Sequence, residues 1–391
     1  MMKAVSLVLA LALALALAPA MAAAAPDQPA AAAATPLQVR GAQQFDLAAA
    51  DGRSYRIFVS VPDKPAPRGG YGVFYVLDGN AMFLTALETV RAMERRPDVP
   101  RDLATVVVGI GYPDGVDIGS ARTLDLTPPG SGNPRISAAS GGADAFLDFI
   151  EGRLKPRIAA LAPVDPARQA LFGHSFGGLF VLHSMLRKPD AFAVRAAASP
   201  SIWFDRADIA RQLADTLATR PSGSPPLKLL LTAGEYEQAL SPLAHSRPNV
   251  AKLALLQKER AQVDSSRALA AALVERTPVD ARFDEIAGED HGTVIPAAIS
   301  RAVSFMLMPQ MEVPPVPTAA AYWQMTPEQR YDLRMWVRQL PDRQRIPWLT
   351  RLRDTLHDGL SKEQGQVLHE ERNRMDAEQG SRPHDVNAPA R

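Results

Sequence analysis

Between residues 37 and 308 the chain alternates between short apolar runs and longer amphipathic ones. Residues 37–47 and 54–61 alternate apolar and polar positions around Asp51-Gly52, which predicts an antiparallel hairpin. Short apolar runs at 72–77, 103–110, 170–172 and 227–232 predict buried strands, with further strands at 195–199 and 279–286. Helical stretches separate them, at 81–93, 144–158, 179–186, 205–217, 256–275 and 294–306. Buried strands alternating with helices imply an α/β fold, a mostly parallel sheet with helices on both faces.

Residues 113–142 break this rhythm. They are rich in Gly, Pro and Ser, have no periodicity, and carry Arg122-Thr123-Leu124-Asp125-Leu126-Thr127-Pro128. A structureless loop of this length in a compact domain is usually functional, so it is expected to form one wall of a binding site. The α/β domain is assigned to 37–308. A Pro-rich linker follows at 309–319, then a helical extension at 320–378 and a polar, disordered tail at 379–391. The extension carries two capping boxes, Thr326-x-x-Gln329 with Pro327 at the first helical position, and Ser361-x-x-Gln364. A degenerate third start lies at 340–344. The extension is expected to cap the domain before it or to offer a hairpin to a protein partner.

The N-terminus adds a compartment. Lys3, an apolar stretch at 5–18 and Ala20-Met21-Ala22 make residues 1–22 a secretory signal peptide. Residues 23–36 read as a disordered lead-in. A periplasmic or secreted protein is expected, with no membrane span in the mature chain. Apolar content of 47% over 391 residues can fill a large core, and a net charge of +1 argues against a nucleic-acid surface. There is no cysteine, which removes disulfides, thiolate metal sites and a Cys nucleophile.

The chemistry centres on Gly173-His174-Ser175-Phe176-Gly177-Gly178. A strand before it, a helix after it and the G-x-S-x-G spacing predict a nucleophile elbow that projects the Ser175 hydroxyl out of the sheet. Glycines at 173 and 177 are expected to leave room at the turn. An activated serine needs a base and a group that orients it. Of seven histidines, only His291 follows the last strand in a loop where the base belongs; the side chain of His174 is expected to turn away. The strand ending at Thr232 is expected to deliver the acid, as Glu237 or alternatively Glu235. A Ser-His pair steadied by a neighbour such as Glu289 stays open. The oxyanion hole is assigned to the amides of Phe176 and Asn80.

With these residues placed, the chain resembles the esterase branch of the α/β-hydrolases, most of all the periplasmic trilactone esterases that open catecholate siderophores. The resemblance rests on Tyr75-Val76-Leu77-Asp78-Gly79-Asn80, Arg122-Thr123-x-Asp125-x-Thr127-Pro128, Gly173 to Gly178, Ser199-Pro200-Ser201-x-Trp203, Gly234-Glu235-Tyr236-Glu237 and Gly288-Glu289-Asp290-His291-Gly292. It implies a secreted serine carboxylic-ester hydrolase acting on a small-molecule ester, siderophore-like or otherwise polyfunctional, without metal or organic cofactor. It also implies that Arg122 holds an anionic substrate, with an ion pair to Asp125 as the alternative, and that Trp203 lines the pocket or fills core. An acyltransferase on the same site, an esterase for feruloyl or short acyl groups, and a non-catalytic binding module are the competing readings.

Overall fold

The computed structural model describes residues 38–96, 99, 103–129, 140–205, 208–307, 314–338, 342–357, 361–367, 369–370 and 373. The stretches expected to be signal peptide, lead-in and tail, and residues 309–313 of the expected linker, lie outside them.

The alternating segments at the start form the expected hairpin, β1 (Ala42–Ala48) and β2 (Ser54–Ser60), paired antiparallel through Ala42↔Ser60 to Ala48↔Ser54. The apolar runs become β3 (Tyr71–Leu77), β4 (Thr105–Gly111), β5 (Val164–His174), β6 (Val194–Ala198), β7 (Lys228–Gly234) and β8 (Asp280–Ile286). They assemble into one eight-stranded sheet in the order β1-β2-β4-β3-β5-β6-β7-β8. The hairpin joins β4 antiparallel, and every pairing from β4 to β8 is parallel. All seven residues of β3 and of β4 are buried. Successive side chains of a strand point to opposite faces, so helices must cover both.

One face takes Val73, Tyr75 and Leu77 with Val106, Val108 and Ile110, packed against the helix Phe176–Arg187 and the segment around Phe146 and Phe149. The helix Asp208–Ala218 lies beside it and contacts Gln262–Arg276 in turn. The helices Gly79–Glu94 and Val294–Leu307 pack against each other and the sheet. Arg195, fully buried on β6, ties the far end of helix Phe176–Arg187 to the sheet. It donates to the carbonyls of Lys188 (2.8 Å), Pro189 (2.9 Å) and Phe192 (2.5 Å) and to Ser184 Oγ (3.2 Å). A guanidinium with so many acceptors is a satisfied buried charge.

Three elements differ from the sequence pattern. The predicted helix at 144–158 is broken by a π turn at Ile150–Leu154, between Ala143–Phe149 and Lys155–Leu161. Pro156, which has no N–H to give, follows that turn. The predicted long helix at 256–275 is two helices, Val250–Arg260 and Gln262–Arg276, hinged at Ala261 with φ 44°. The hinge delivers the buried Gln262, whose Nε2 donates to the Pro200 carbonyl at 2.5 Å. The loop expected to lack structure contains the helix Ile118–Leu126, capped by Asp117 accepting from Gly119 N (3.1 Å) and Ser120 N (3.4 Å). Residues 130–139 of that loop lie outside the described set.

In the extension, Ala319–Gln324, Pro327–Arg338 and Asp342–His357 are helices. Both capping boxes form reciprocally: Thr326 N to Gln329 Oε1 (2.9 Å) with Gln329 N to Thr326 Oγ1 (3.2 Å), and Ser361 N to Gln364 Oε1 (3.0 Å) with Gln364 N to Ser361 Oγ (3.1 Å). Tyr322, Val337, Trp348, Leu352 and Leu356 form a small core of the extension's own.

Candidate active site

The carboxyl ends of β3, β5, β6, β7 and β8 converge, the place where parallel α/β sheets bind ligands. Among the described residues, non-glycine positive φ occurs at Asp78 (54°), Ser175 (60°), Ser199 (43°) and Ala261 (44°). The first three lie at this edge, and strained backbone of this kind clusters at functional sites.

Ser175 is the single residue between β5 and the helix beginning at Phe176. Its N–H donates to Ala198 O at 2.9 Å, which ties the elbow to β6. A side chain at 173 would put Cβ 2.3 Å from Gly177 O, so only glycine lets the strand fold back on the helix. Position 177 differs from expectation. A Cβ there meets nothing closer than 3.6 Å, and it is the Gly177 backbone that crowds Gly173.

The elbow presents Ser175 Oγ to His291 Nε2 at 3.0 Å. His291 Nδ1 meets Glu237 Oε2 at 2.6 Å. The other carboxylate oxygen, Glu237 Oε1, accepts from Gly234 N (2.8 Å) and Ser199 Oγ (2.5 Å). Burial pushes the Glu237 carboxyl up, but the hydrogen bonds from His291, Ser199 and Gly234 outweigh it and hold the group below its ordinary value. Glu235 points elsewhere. Its Oε2 accepts from Gly288 N at 2.8 Å, which fastens the loop that carries His291. That loop closes tightly, since a Cβ at Gly234 would lie 2.4 Å from Glu289 O. Glu289 meets Tyr236 N through its carbonyl, at 2.9 Å.

The two amides assigned to the oxyanion hole lie in the first turns of the helices that follow β5 and β3. Phe176 is the first residue of its helix and Asn80 the second residue of Gly79–Glu94, so neither N–H has an acceptor within its helix. The Asn80 side chain is bound to the Tyr112 backbone, with Nδ2 to O at 3.0 Å and Oδ1 from N at 2.8 Å, and this fixes the loop between strand and helix. Trp203 is half-buried, 6.4 Å from the Phe176 ring, with the Arg260 guanidinium 4.6 Å from its own centroid.

Arg122 does not make the ion pair with Asp125 that is one of the two roles expected for it. Its Nε donates to Asp78 Oδ1, and its Nη2 to Asp78 Oδ2 at 2.9 Å. Asp125, the alternative partner, is buried and pairs instead with Arg53 and with Tyr112 Oη at 3.2 Å. The cause is helical spacing. Arg122 and Asp125 are three apart on Ile118–Leu126, but Asp125 faces the hydrophobic core beside Tyr112, whereas Arg122 reaches the end of β3.

His174 is a second departure. Its ring lies 4.6 Å from the His291 ring, and its Nε2 is buried without a hydrogen-bond partner. Burial, reinforced by His291 nearby, lowers its pKa to about 4. The unfolded chain therefore takes up a proton near pH 6.5 that the folded protein refuses until about 4. Stability should fall as pH drops through that window. His174→Phe should lose about 2 kcal/mol less than wild type between pH 7 and pH 5 in urea unfolding. Equal losses would mean that the ring takes up its proton in the folded protein over the same pH range as in the unfolded chain.

The sequence shows Ser199-Pro200-Ser201 as a motif, but its spacing gives neither serine a place beside Ser175 or Glu237; the structure does. Ser201 Oγ is 3.4 Å from Ser175 Oγ, and its N–H donates to Ser175 O at 3.2 Å.

Residues 48–277 match the family described as Putative esterase. The ferri-bacillibactin esterase BesA of Bacillus subtilis is 38% identical over 266 residues, 66% of this chain and 86% of that protein. The siderophore triacetylfusarinine C esterase of Aspergillus fumigatus is 35% identical over 286 residues, 69% of this chain and 94% of that protein. Among solved structures, the siderophore hydrolase EstB from Aspergillus nidulans aligns with a TM-score of 0.64 at 29% identity, over 73% of this chain and 100% of that one. With a mostly parallel sheet in this order, the protein has the α/β-hydrolase fold, and the chain belongs to the esterase family and is a carboxylic ester hydrolase.

Proposed function

We propose that this esterase hydrolyses the backbone esters of a siderophore, with Ser175 as nucleophile. The observation that carries the reading is the unbroken relay from Ser175 Oγ through His291 to Glu237, at 3.0 and 2.6 Å. His291 Nε2 takes the Ser175 proton as Oγ attacks the ester carbonyl. Glu237 holds the Nδ1–H, which keeps Nε2 free to accept, and it stabilises the imidazolium that forms. The amides of Phe176 and Asn80 donate to the developing oxyanion, with the helix N-termini behind them. His291 then protonates the leaving alcohol. Water attacks the acyl-enzyme by the same steps in reverse roles. The siderophore assignment is carried over from the relatives named above, each of which acts on a siderophore. The leader at 1–22 supports a periplasmic or secreted setting for the reaction.

The test is hydrolysis of a panel holding a ferric trilactone siderophore, its iron-free form, a feruloyl ester and a short acyl ester. The reading expects kcat/KM on a siderophore at least about a hundredfold above the short ester, which is about 2.7 kcal/mol of selective transition-state binding. A preference for the short ester would return the substrate to the feruloyl or short-acyl alternatives.

Arg122 acts in this reading through Asp78 at the start of the oxyanion loop. Arg122→Ala should lower kcat about tenfold or more, alike on the short neutral ester and on the anionic siderophore, as expected for a charge-assisted pair worth roughly 1.5–3 kcal/mol. A rise in KM confined to the anionic substrate would instead give Arg122 the substrate contact that the sequence suggested.

A further inference from the structure

We infer that Ser199 is a positioning residue for ester hydrolysis: its hydroxyl fixes one oxygen of Glu237 so that the other stays on His291. The inference rests on the Ser175–His291–Glu237 reading above. Ser199 lies one residue past β6 and is fully buried. Its N–H donates to Thr232 O at 2.7 Å, extending the β6–β7 pairing by one bond. This places the residue directly opposite the strand that delivers the acid. Its φ of 43° is uncommon for a residue with a side chain. Glycine would hold that backbone more easily, yet the position carries a hydroxyl aimed at the carboxylate, 2.5 Å from Oε1.

The terminal torsion of a glutamate is broad and roughly two-fold. A carboxylate held only by the imidazole, whose side chain is 46% exposed, is therefore free to swivel. The Ser199 hydroxyl and the Gly234 amide converge on Oε1 and close that freedom. The charged and titratable groups around the carboxylate are few. His291 comes from the loop after β8, and the neutral His174 ring from the end of β5, with Arg122 beyond it. Asp290 turns to its own loop, accepting from Gly292 N and Thr293 N, and Glu235 turns to Gly288 N. His291 is thus the cation that forms beside Glu237. A donor on Oε1 draws off part of the carboxylate's charge. Without it, the full charge of the carboxylate faces the imidazolium that forms on His291.

The test uses the full chain with Ser199→Ala and Ser199→Gly, assayed on one ester across pH 5 to 9. Both variants should lose about tenfold or more in kcat with KM within about twofold of wild type, and the acid limb of kcat/KM should move to higher pH in both. Ser199→Gly relieves the backbone, so it should match or exceed Ser199→Ala in Tm while staying equally slow. Wild-type kcat and an unmoved acid limb in folded Ser199→Ala would overturn the inference. So would recovery of kcat in Ser199→Gly alone, which would assign the effect to backbone strain. If Glu237→Gln is itself fully active, it is the underlying reading that fails. If Glu237→Gln is crippled while Ser199→Ala is normal, only this inference falls.

Discussion

Ser175→Ala is expected to lower ester turnover by about 10⁶-fold while leaving the fold intact. The substitution removes one oxygen from a residue that contributes little to the core. The backbone bonds that hold the elbow, from Ser175 N to Ala198 O and from Ser201 N to Ser175 O, survive it. Alanine tolerates φ 60° about as well as serine, so Tm should change by no more than a few degrees. The residual rate would come from the oxyanion amides and from binding alone. The measurement is steady-state hydrolysis with mass-spectrometric labelling by a fluorophosphonate, which should modify Ser175 in the wild type and nothing in the variant. The rival to exclude is Ser201, whose hydroxyl is 3.4 Å away but buried. Labelling at Ser201, or near-normal turnover in a folded variant, would remove Ser175 from the mechanism.

Glu237→Gln should cost about 10³–10⁴-fold in kcat, whereas Glu235→Gln should stay within about threefold of wild type. The difference lies in what each carboxylate holds. Glu237 fixes the tautomer of His291 through a 2.6 Å bond. A glutamine there can offer its NH₂ to Nδ1, which moves the proton to Nε2 and leaves no acceptor for the Ser175 hydroxyl. Glu235 only fastens the Gly288 amide, and its loop keeps other ties in Tyr236 N to Glu289 O and Asp290 N to Thr293 Oγ1. Because Glu237 is held below its ordinary value, its stabilising contribution is present above the unfolded carboxylate range and is lost as pH falls through the depressed folded value. Glu237→Gln should therefore flatten the acid end of the stability profile as well as stop catalysis. Equal small effects of the two substitutions would leave a Ser-His pair, or another acid, as the machinery.

The sequence by itself determined the order of the strands and the position of the elbow between β5 and the helix after it. Apolar runs too short for helices and too continuous for exposed strands fix buried parallel strands, because side chains on both faces must avoid water. The elbow is legible for the same local reason: glycine at 173 is demanded by contacts with residues only four positions away. Chain order points to His291, since the base of this arrangement belongs in the loop after the last strand. Capping boxes at Thr326 and Ser361 are also local, and both are formed.

Tertiary structure decided what depends on the direction of a side chain. Glu235 and Glu237 stand two residues apart in one short turn; the spacing from Gly234 points to Glu237, but it does not turn the second carboxylate oxygen toward His291. The answer comes from the Ser199 hydroxyl and the Gly234 amide, which only the packed sheet brings together. Arg122 was separated from Asp125 because burial of Asp125 beside Tyr112 and Arg53 leaves the guanidinium to Asp78, 44 residues earlier in the chain. His174 lies against His291 because β5 and the loop after β8 end at the same edge, a proximity that no periodicity records. Local pattern follows from the few backbone conformations open to each residue. The choice among polar partners at the site follows from which buried charges and donors can satisfy one another, and that is settled only when distant strands meet.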